Sequence, residues 1–269
     1  MRTIMIPVAD RPECATALGV TFELAQKHSL DVLGYHLRPH KLEKKSAAKQ
    51  VDLASKAAEK LFERLAGKYG INVSRRYRYN PEVPQACWRA LTGSPEKRFP
   101  SIGPMSDLIV VSRPKSSRSV LAREFQYAAL MYTGTPVLTL PSRMPATLGQ
   151  RVLIAWNQSI EAAKAVKAAM PLLRGADAVN IAVAGQEDQV GAKSSHLQQY
   201  LRHHGVNAKR IVSRGDDVNA EIRDAYDTSN SDLLVMGAYS RPRWRERVFG
   251  GLTDYIVNKT SLPTILLHS

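Results

Sequence analysis

A chain of 269 residues with 44% hydrophobic content is long enough for two ordinary domains with substantial cores, and its charged fraction suits a soluble protein. It holds no run of eighteen apolar residues, which argues against a membrane-spanning helix, and its two cysteines, Cys14 and Cys87, lack CxxC or metal spacing, which argues against a disulfide framework. The formal charge of +14 invites a nucleic-acid reading, but residues 1–145 hold 23 Lys/Arg against 12 Asp/Glu and the remainder 15 against 12, so the excess lies mainly in the first half.

The N-terminus, Met1 to Val8, runs straight into a strand-like segment with no cleavage site behind it. No signal peptide is read there, and the expected compartment is a reducing cytoplasm. Strands are predicted near 3–8, 31–37, 71–79, 107–111 and 136–140. An alanine-rich helix is expected over Cys14–Gln26, and a long amphipathic one within Lys41–Gly70, where Leu53, Ala57, Leu61 and Leu65 share one face. Its lysines read most simply as the wet side of that helix, with a polyanion-binding face as the alternative. The stretch Pro141–Gln150, with two prolines and a glycine, suits a domain boundary.

The second half repeats the first. Ser106-Asp107-Leu-Ile-Val-Val111 returns as Ser231-Asp232-Leu-Leu-Val-Met236, and Thr135-Pro136-Val-Leu-Thr-Leu140 as Leu262-Pro263-Thr-Ile-Leu-Leu267. Ile4–Val8 pairs with Val152–Trp156, each followed by an alanine-rich helical stretch. Three landmarks in one order argue duplication. Strands of this half are predicted near 151–156, 178–184, 207–213, 232–236 and 263–267, with helices over Ile160–Leu173 and about Ser194–His204. Strands alternating with helices imply parallel sheets with helices on both faces, and ligands then bind beyond the carboxyl ends of the first and fourth strands. The expected domains are 1–142 and 150–269.

One stretch carries chemistry. After the apolar run Leu233–Met236 comes Gly237, two residues, Ser240, nine residues, then Gly250, Gly251 and Thr253. Glycine admits a ligand close to the backbone, and a helix start offers amides to an anion. This spacing resembles the nucleotide-binding signature of the universal stress proteins, with Ser240 standing at the family's second glycine. The resemblance covers nearly the whole chain as two tandem copies, its specific motif only the second.

The resemblance implies an adenine nucleotide alpha hydrolase-like α/β fold: two tandem doubly wound five-stranded parallel sheets, strand order 3-2-1-4-5 in each half. It also implies an ATP or other adenine-nucleotide site, with or without Mg²⁺, in the second copy. There the first strand ends at Ala155, Trp156 and Asn157, with Asn157 at the place of the family's adenosine-side acid. Val183 matches the position whose backbone meets adenine. Met236 and Gly237 would line the crevice, and Gly250, Gly251, Leu252 and Thr253 would wrap the phosphates. Read without the family, Trp156 is a packing residue, Asn157 a helix cap and the glycines turn residues. Arg241, with Arg243, Arg245 and Arg247, either neutralises phosphates or forms a solvated or partner-facing edge.

In the first copy Ser112 replaces the first glycine, Glu124 and Phe125 fall where Gly250 would, and Asp10, after Ala9, reads as a cap. That copy is expected to be degenerate, a scaffold or partner surface. His196, His203 and His204 read as surface residues, since nothing completes a metal set. No catalytic group is assigned; at most slow ATP hydrolysis or self-phosphorylation on Ser240 or Thr253 is implied. The expectation is a stress-response regulator that acts through conformational change and a protein partner. Its halves would form an intramolecular pseudo-dimer through the last strands, and two chains could assemble as a homodimer. Neither membrane nor nucleic acid is the expected partner. The rival is a nucleotide-free module whose basic first half holds acidic partners or nucleic acid.

Overall fold

The computed structural model describes residues 1–39, 45–77, 80, 82–113, 120–188, 190–239 and 251–268. The chain divides into two compact units, Met1–Arg143 and Met144–Ser269.

In the first unit the strands are β1 (Thr3–Pro7), β2 (Asp31–Arg38), β3 (Asn72–Ser74), β4 (Gln85–Thr92), β5 (Leu108–Ser112) and β6 (Val137–Leu140). Its helices are α1 (Pro12–His28), α2 (Lys45–Lys68), α3 (Pro95–Ile102) and α4 (Val120–Tyr132). The strands run parallel in the order β3-β4-β2-β1-β5-β6. The sequence predicts five strands here, and β4 is the addition. It lies beside β2 as the third strand of the wound sheet, while β3 is a short edge. It is hard to read because only its first half is buried: Ala86, Cys87 and Trp88 face the core, and Arg89, Ala90 and Thr92 are exposed. Without a continuous apolar run the usual strand signal fails.

Helix α2 buries Ala58, Leu61, Phe62 and Ala66, whereas Leu53 is 58% exposed. A strict i, i+4 line such as Leu53–Ala57–Leu61–Leu65 slants across the helix axis, so its first member leaves the core face. Phe62 meets Phe22 and Trp88 at ring distances of 5.2 and 5.4 Å, and it lies over Gly34, where any Cβ would collide with the ring.

In the second unit the strands are β7 (Arg151–Ala155), β8 (Ala178–Ala184), β9 (Ala208–Ser213), β10 (Leu233–Gly237) and β11 (Thr264–Leu267). The helices are α5 (Ile160–Leu173), α6 (Ser194–His203), α7 (Val218–Thr228) and α8 (Leu252–Lys259). The parallel order β11-β10-β7-β8-β9 is the expected 3-2-1-4-5 winding. Strands β7 and β10 are buried on both faces, which explains their unbroken apolar runs.

The duplicated landmarks have one physical role. Asp232 opens β10, and its carboxylate accepts from Gly149, Gln150 and Arg151 N–H at 2.9, 3.1 and 3.0 Å and from the Thr147 hydroxyl. Asp107 likewise accepts from Arg2 and Thr3 N–H at 2.6 and 2.9 Å. In each unit a carboxylate at the start of the fourth strand ties down the start of the first. Corresponding backbone bonds, Val8 N–H to Tyr35 O and Trp156 N–H to Ala182 O, align Val8 with Trp156. Arg113 N–H to Leu140 O and Ala238 N–H to Leu267 O align Ser112 with Gly237.

Candidate functional site

The winding of the second unit places the ends of β7 and β10 side by side, with Ala155 opposite Met236. Both are buried, as is Trp156. The Trp156 indole donates to Ala192 O at 2.9 Å, so the ring is turned under the β8–α6 connection. This is the packing geometry of the family-free reading. Asn157 is exposed, and its Oδ1 accepts from Ser159 N–H and Ser159 Oγ–H at 3.2 and 2.7 Å. Ser159 in turn caps α5, accepting from Ala162 N–H at 3.1 Å. Asn157 therefore braces a helix start while facing the open end of the sheet. Val183 is buried, and its carbonyl accepts from Ser213 Oγ–H at 3.3 Å.

The missing side chain of Gly237 has a specific neighbour. A Cβ there would lie 2.5 Å from Ala162 N and 2.8 Å from Glu161 Cβ. The close approach that this glycine permits is that of the first turn of α5, which then sits tightly over β10. Beyond it the chain turns sharply: Tyr239 has φ +53°, a left-handed conformation costing a non-glycine residue about 1 kcal/mol or more. Tyr239 N–H donates to Thr253 Oγ1 at 3.2 Å. The buried Thr253 hydroxyl thus ties the end of β10 to the first turn of α8. His268 Nδ1 lies 3.1 Å from Ala238 O, and its ring meets that of Tyr239 edge-on.

Helix α8 begins at Leu252 with Gly251 as its N-cap residue, which has no side chain to offer the first amides. Those N–H groups and the positive end of the helix dipole suit an anion. The first-turn Asp254 is bound to Asn258 Nδ2 at 2.6 Å. Ser240, Arg241 and Gly250, with Arg243, Arg245 and Arg247, lie outside the described residues. Of the sequence motif, the structure therefore places Ala155 and Asn157 at the end of β7 beside Met236 and Gly237 of β10, and Thr253 ties the Gly251–Leu252 start of α8 to Tyr239 just beyond β10. Trp156 and the Val183 carbonyl are engaged by neighbours.

Sequence reasoning misses Ser213 and Glu221. Ser213 Oγ is bonded to Glu221 Oε2, and both line a cleft of about 240 Å³ with Ala182, Ile211, Ala220, Asp224 and Ala225. It lies between β8, β9 and α7. Neither residue belongs to a recognisable motif, and the pair meets only because β9 leads directly into α7.

The corresponding place in the first unit is nearly filled. Pro7, Ala9, Arg11, Cys14, Val111, Ser112, Ala122 and Phe125 enclose about 20 Å³, room for one water. Burial pushes the Cys14 thiol up to about 11, which keeps it protonated and unreactive. Asp10 does not cap α1 as predicted: Arg11 is the N-cap residue and no side chain bonds the helix start, which Pro12 begins. Proline at the first helical position removes one of the amides a cap would serve.

The histidines act locally. His196 Nδ1 accepts from Lys193 N–H at 3.3 Å, and His204 packs on Tyr200. Among the described residues no helix is long and apolar enough to cross a membrane.

Residues 149–268 match the model of the universal stress protein family. The C-terminal half is a universal stress protein domain. The fold of the whole chain is similar to that of a universal stress protein from Archaeoglobus fulgidus, with a TM-score of 0.78 at 12% identity, covering 98% of this chain and 95% of that one. A functionally unknown protein from Pseudomonas aeruginosa is also similar, with a TM-score of 0.57 at 13% identity over 99% and 92% of the two chains. At such identities the likeness is one of fold, and it extends the universal stress protein architecture, in two repeated halves, across both units. Among curated proteins none matches the sequence.

Proposed function

We propose that the universal stress protein domain of this chain binds an adenine nucleotide, ATP or a shorter relative, and passes its occupancy to a protein partner. The observation that carries this reading is the start of α8. A side-chain-free cap residue, Gly251, opens a helix beside the end of β10, and Thr253 fastens the two together. An anion there gains amide bonds and the helix dipole. Ala155, Met236 and Asn157 would lie under the nucleoside, with the Asn157 amide toward the ribose. Ser240, Arg241 and Gly250 belong to the same proposed phosphate segment by their place in the motif. The first unit is proposed to take no nucleotide, since Phe125 occupies the corresponding crevice and Ser112 stands in place of the glycine. No side chain is assigned as a general base, so the role proposed is regulatory.

The test is a thermal-shift titration with ATP, ADP and AMP, with and without Mg²⁺. A ligand at a hundredfold excess over its Kd adds about 2.7 kcal/mol of stability, which is a shift of several degrees. Gly251→Asp should fold normally and lose the shift, because its carboxylate takes the place of the anion. If none of the three nucleotides raises the melting temperature at millimolar concentration, the reading is wrong.

A second reading rests on α2. Of its three acids, Asp52 and Glu59 are paired to Arg38 and Arg75 at 3.5 and 2.8 Å, while exposed Lys56, Lys60, Arg64 and Lys68, with exposed Glu63 beside them, follow one another along the helix. A row of cations fits a polyanion, whose binding would weaken steeply with added salt.

A further inference from the structure

Three consecutive residues after β7 face different ways. Asn157 is exposed, whereas Trp156 and Gln158 are 5% and 7% exposed and both reach the connection from β8 to α6. The Trp156 indole donates to Ala192 O at 2.9 Å, and Gln158 Nε2 donates to Gly191 O at 3.3 Å. Gln158 has φ +63°, a strained conformation for a residue with a side chain, which turns its amide back toward Gly191. Gly191 is matched to it: a Cβ at that position would collide with the Gln158 carbonyl. The far end of the segment is fixed as well, since Glu187 accepts from both the N–H and the hydroxyl of Ser194 at the start of α6. Val190 is fully exposed, so the segment lies over the two buried side chains with its outer surface in solvent.

We infer that Trp156 and Gln158 are positioning residues that latch residues 190–193 as a fixed wall on the β8 side of the crevice, and that this wall selects ligands by their base. The inference rests on the nucleotide reading above. Adjacent strands are about 4.8 Å apart, so the anion site after β10 and the wall beyond β8 are separated by roughly two strand spacings. A ligand held by phosphate at α8 and extending across the end of β7 carries its base to that wall. Phosphate alone never reaches it. Trp156 contributes the height of the wall and cannot stack on the base, because its ring is covered by the segment it holds.

The test uses the full chain and two variants, Trp156→Phe, which keeps an aromatic, though smaller, side chain and loses the donor, and Gly191→Ala, which pushes the segment off Gln158. Trypsin cleavage after Lys193 reads the latch without any ligand, and calorimetric titration with AMP and with inorganic tripolyphosphate reads the wall. Both variants are expected to be cut at least fivefold faster at Lys193, and to bind AMP about tenfold more weakly with tripolyphosphate affinity unchanged. Unchanged cleavage overturns the latch. Faster cleavage with AMP and tripolyphosphate affected alike, or with neither affected, overturns the wall. If the parent chain binds neither compound, the nucleotide reading and the wall fall together while the cleavage result still decides the latch.

Discussion

At the level of single residues, the same fold position is filled by different side chains in the two units for steric reasons. Gly237 and Ser112 close the corresponding strands β10 and β5, yet a Cβ at 237 would be 2.5 Å from Ala162 N. Gly237→Ala should cost about 1–3 kcal/mol, the usual penalty for overpacking, as the first turn of α5 is displaced. Chemical denaturation of the purified variant checks this, and an unchanged midpoint would mean that α5 yields freely. His36 offers a second case. It is buried beside Trp88, and its Nδ1 lies 2.9 Å from Val8 O. A carbonyl only accepts, so Nδ1 carries the proton. Burial pushes the imidazole below its ordinary range, outweighing the bond to Val8, and Arg38 adds to the depression. The folded state therefore favours neutral His36. Its stability contribution is complete above the unfolded value near 6.5 and is lost as pH falls through the lower folded value. Melting temperatures of the parent should drop between pH 7 and 5, and His36→Gln should flatten that slope. Asp107 acts at lower pH. Burial raises its carboxyl, but the Thr3 and Arg2 amides win and hold it below the ordinary carboxylate value, so its contribution fades only under stronger acid.

Among the elements, α8 decides the functional reading. Its cap residue Gly251 has φ −56° and ψ 158°, extended geometry open to any residue. An aspartate there would cap the helix better than glycine by a few tenths of a kcal/mol and meet a favourable dipole. Gly251→Asp is thus expected to leave the unliganded protein as stable or slightly more stable while removing the nucleotide shift. That combination separates loss of a ligand from loss of the fold. Residues 190–193 of the β8–α6 connection are the other element whose form follows from its contacts: with Trp156 and Gln158 bonded to Ala192 and Gly191, and Glu187 bonded to Ser194 at the start of α6, they behave as a fixed wall. Helix α4 shows the opposite outcome in the first unit, where Phe125 packs on Phe99 with ring centroids 5.8 Å apart and closes the crevice it borders.

For the molecule as a whole, the proposed function has two units of one architecture differ in what their open ends accept. Hydrogen–deuterium exchange with saturating ATP should therefore slow amides in 155–159 and 251–254 and leave 7–14 and 120–126 unchanged. Protection of the first-unit segments would mean that Phe125 moves aside and that both crevices bind. Charge divides along the same line, since the basic excess of residues 1–145 is carried in part by α2, far in sequence from the glycine motif of the second half.

The alternation of apolar runs and alanine-rich helices, repeated twice, determined the parallel winding, because strands buried on both faces must be apolar throughout. The paired Ser-Asp landmarks determined where each fourth strand begins, since only a carboxylate there can hold the amides of the first. Strand β4 was hidden, as its exposed half breaks the pattern on which such reading depends. The directions of Trp156, Asn157 and Gln158 were hidden too: adjacent in sequence, they are divided between wall and open face by one left-handed backbone angle. That Gly237 makes room for a helix, and Gly251 leaves one uncapped, was decided by tertiary packing, because a glycine's sequence neighbours do not reveal what approaches it in space.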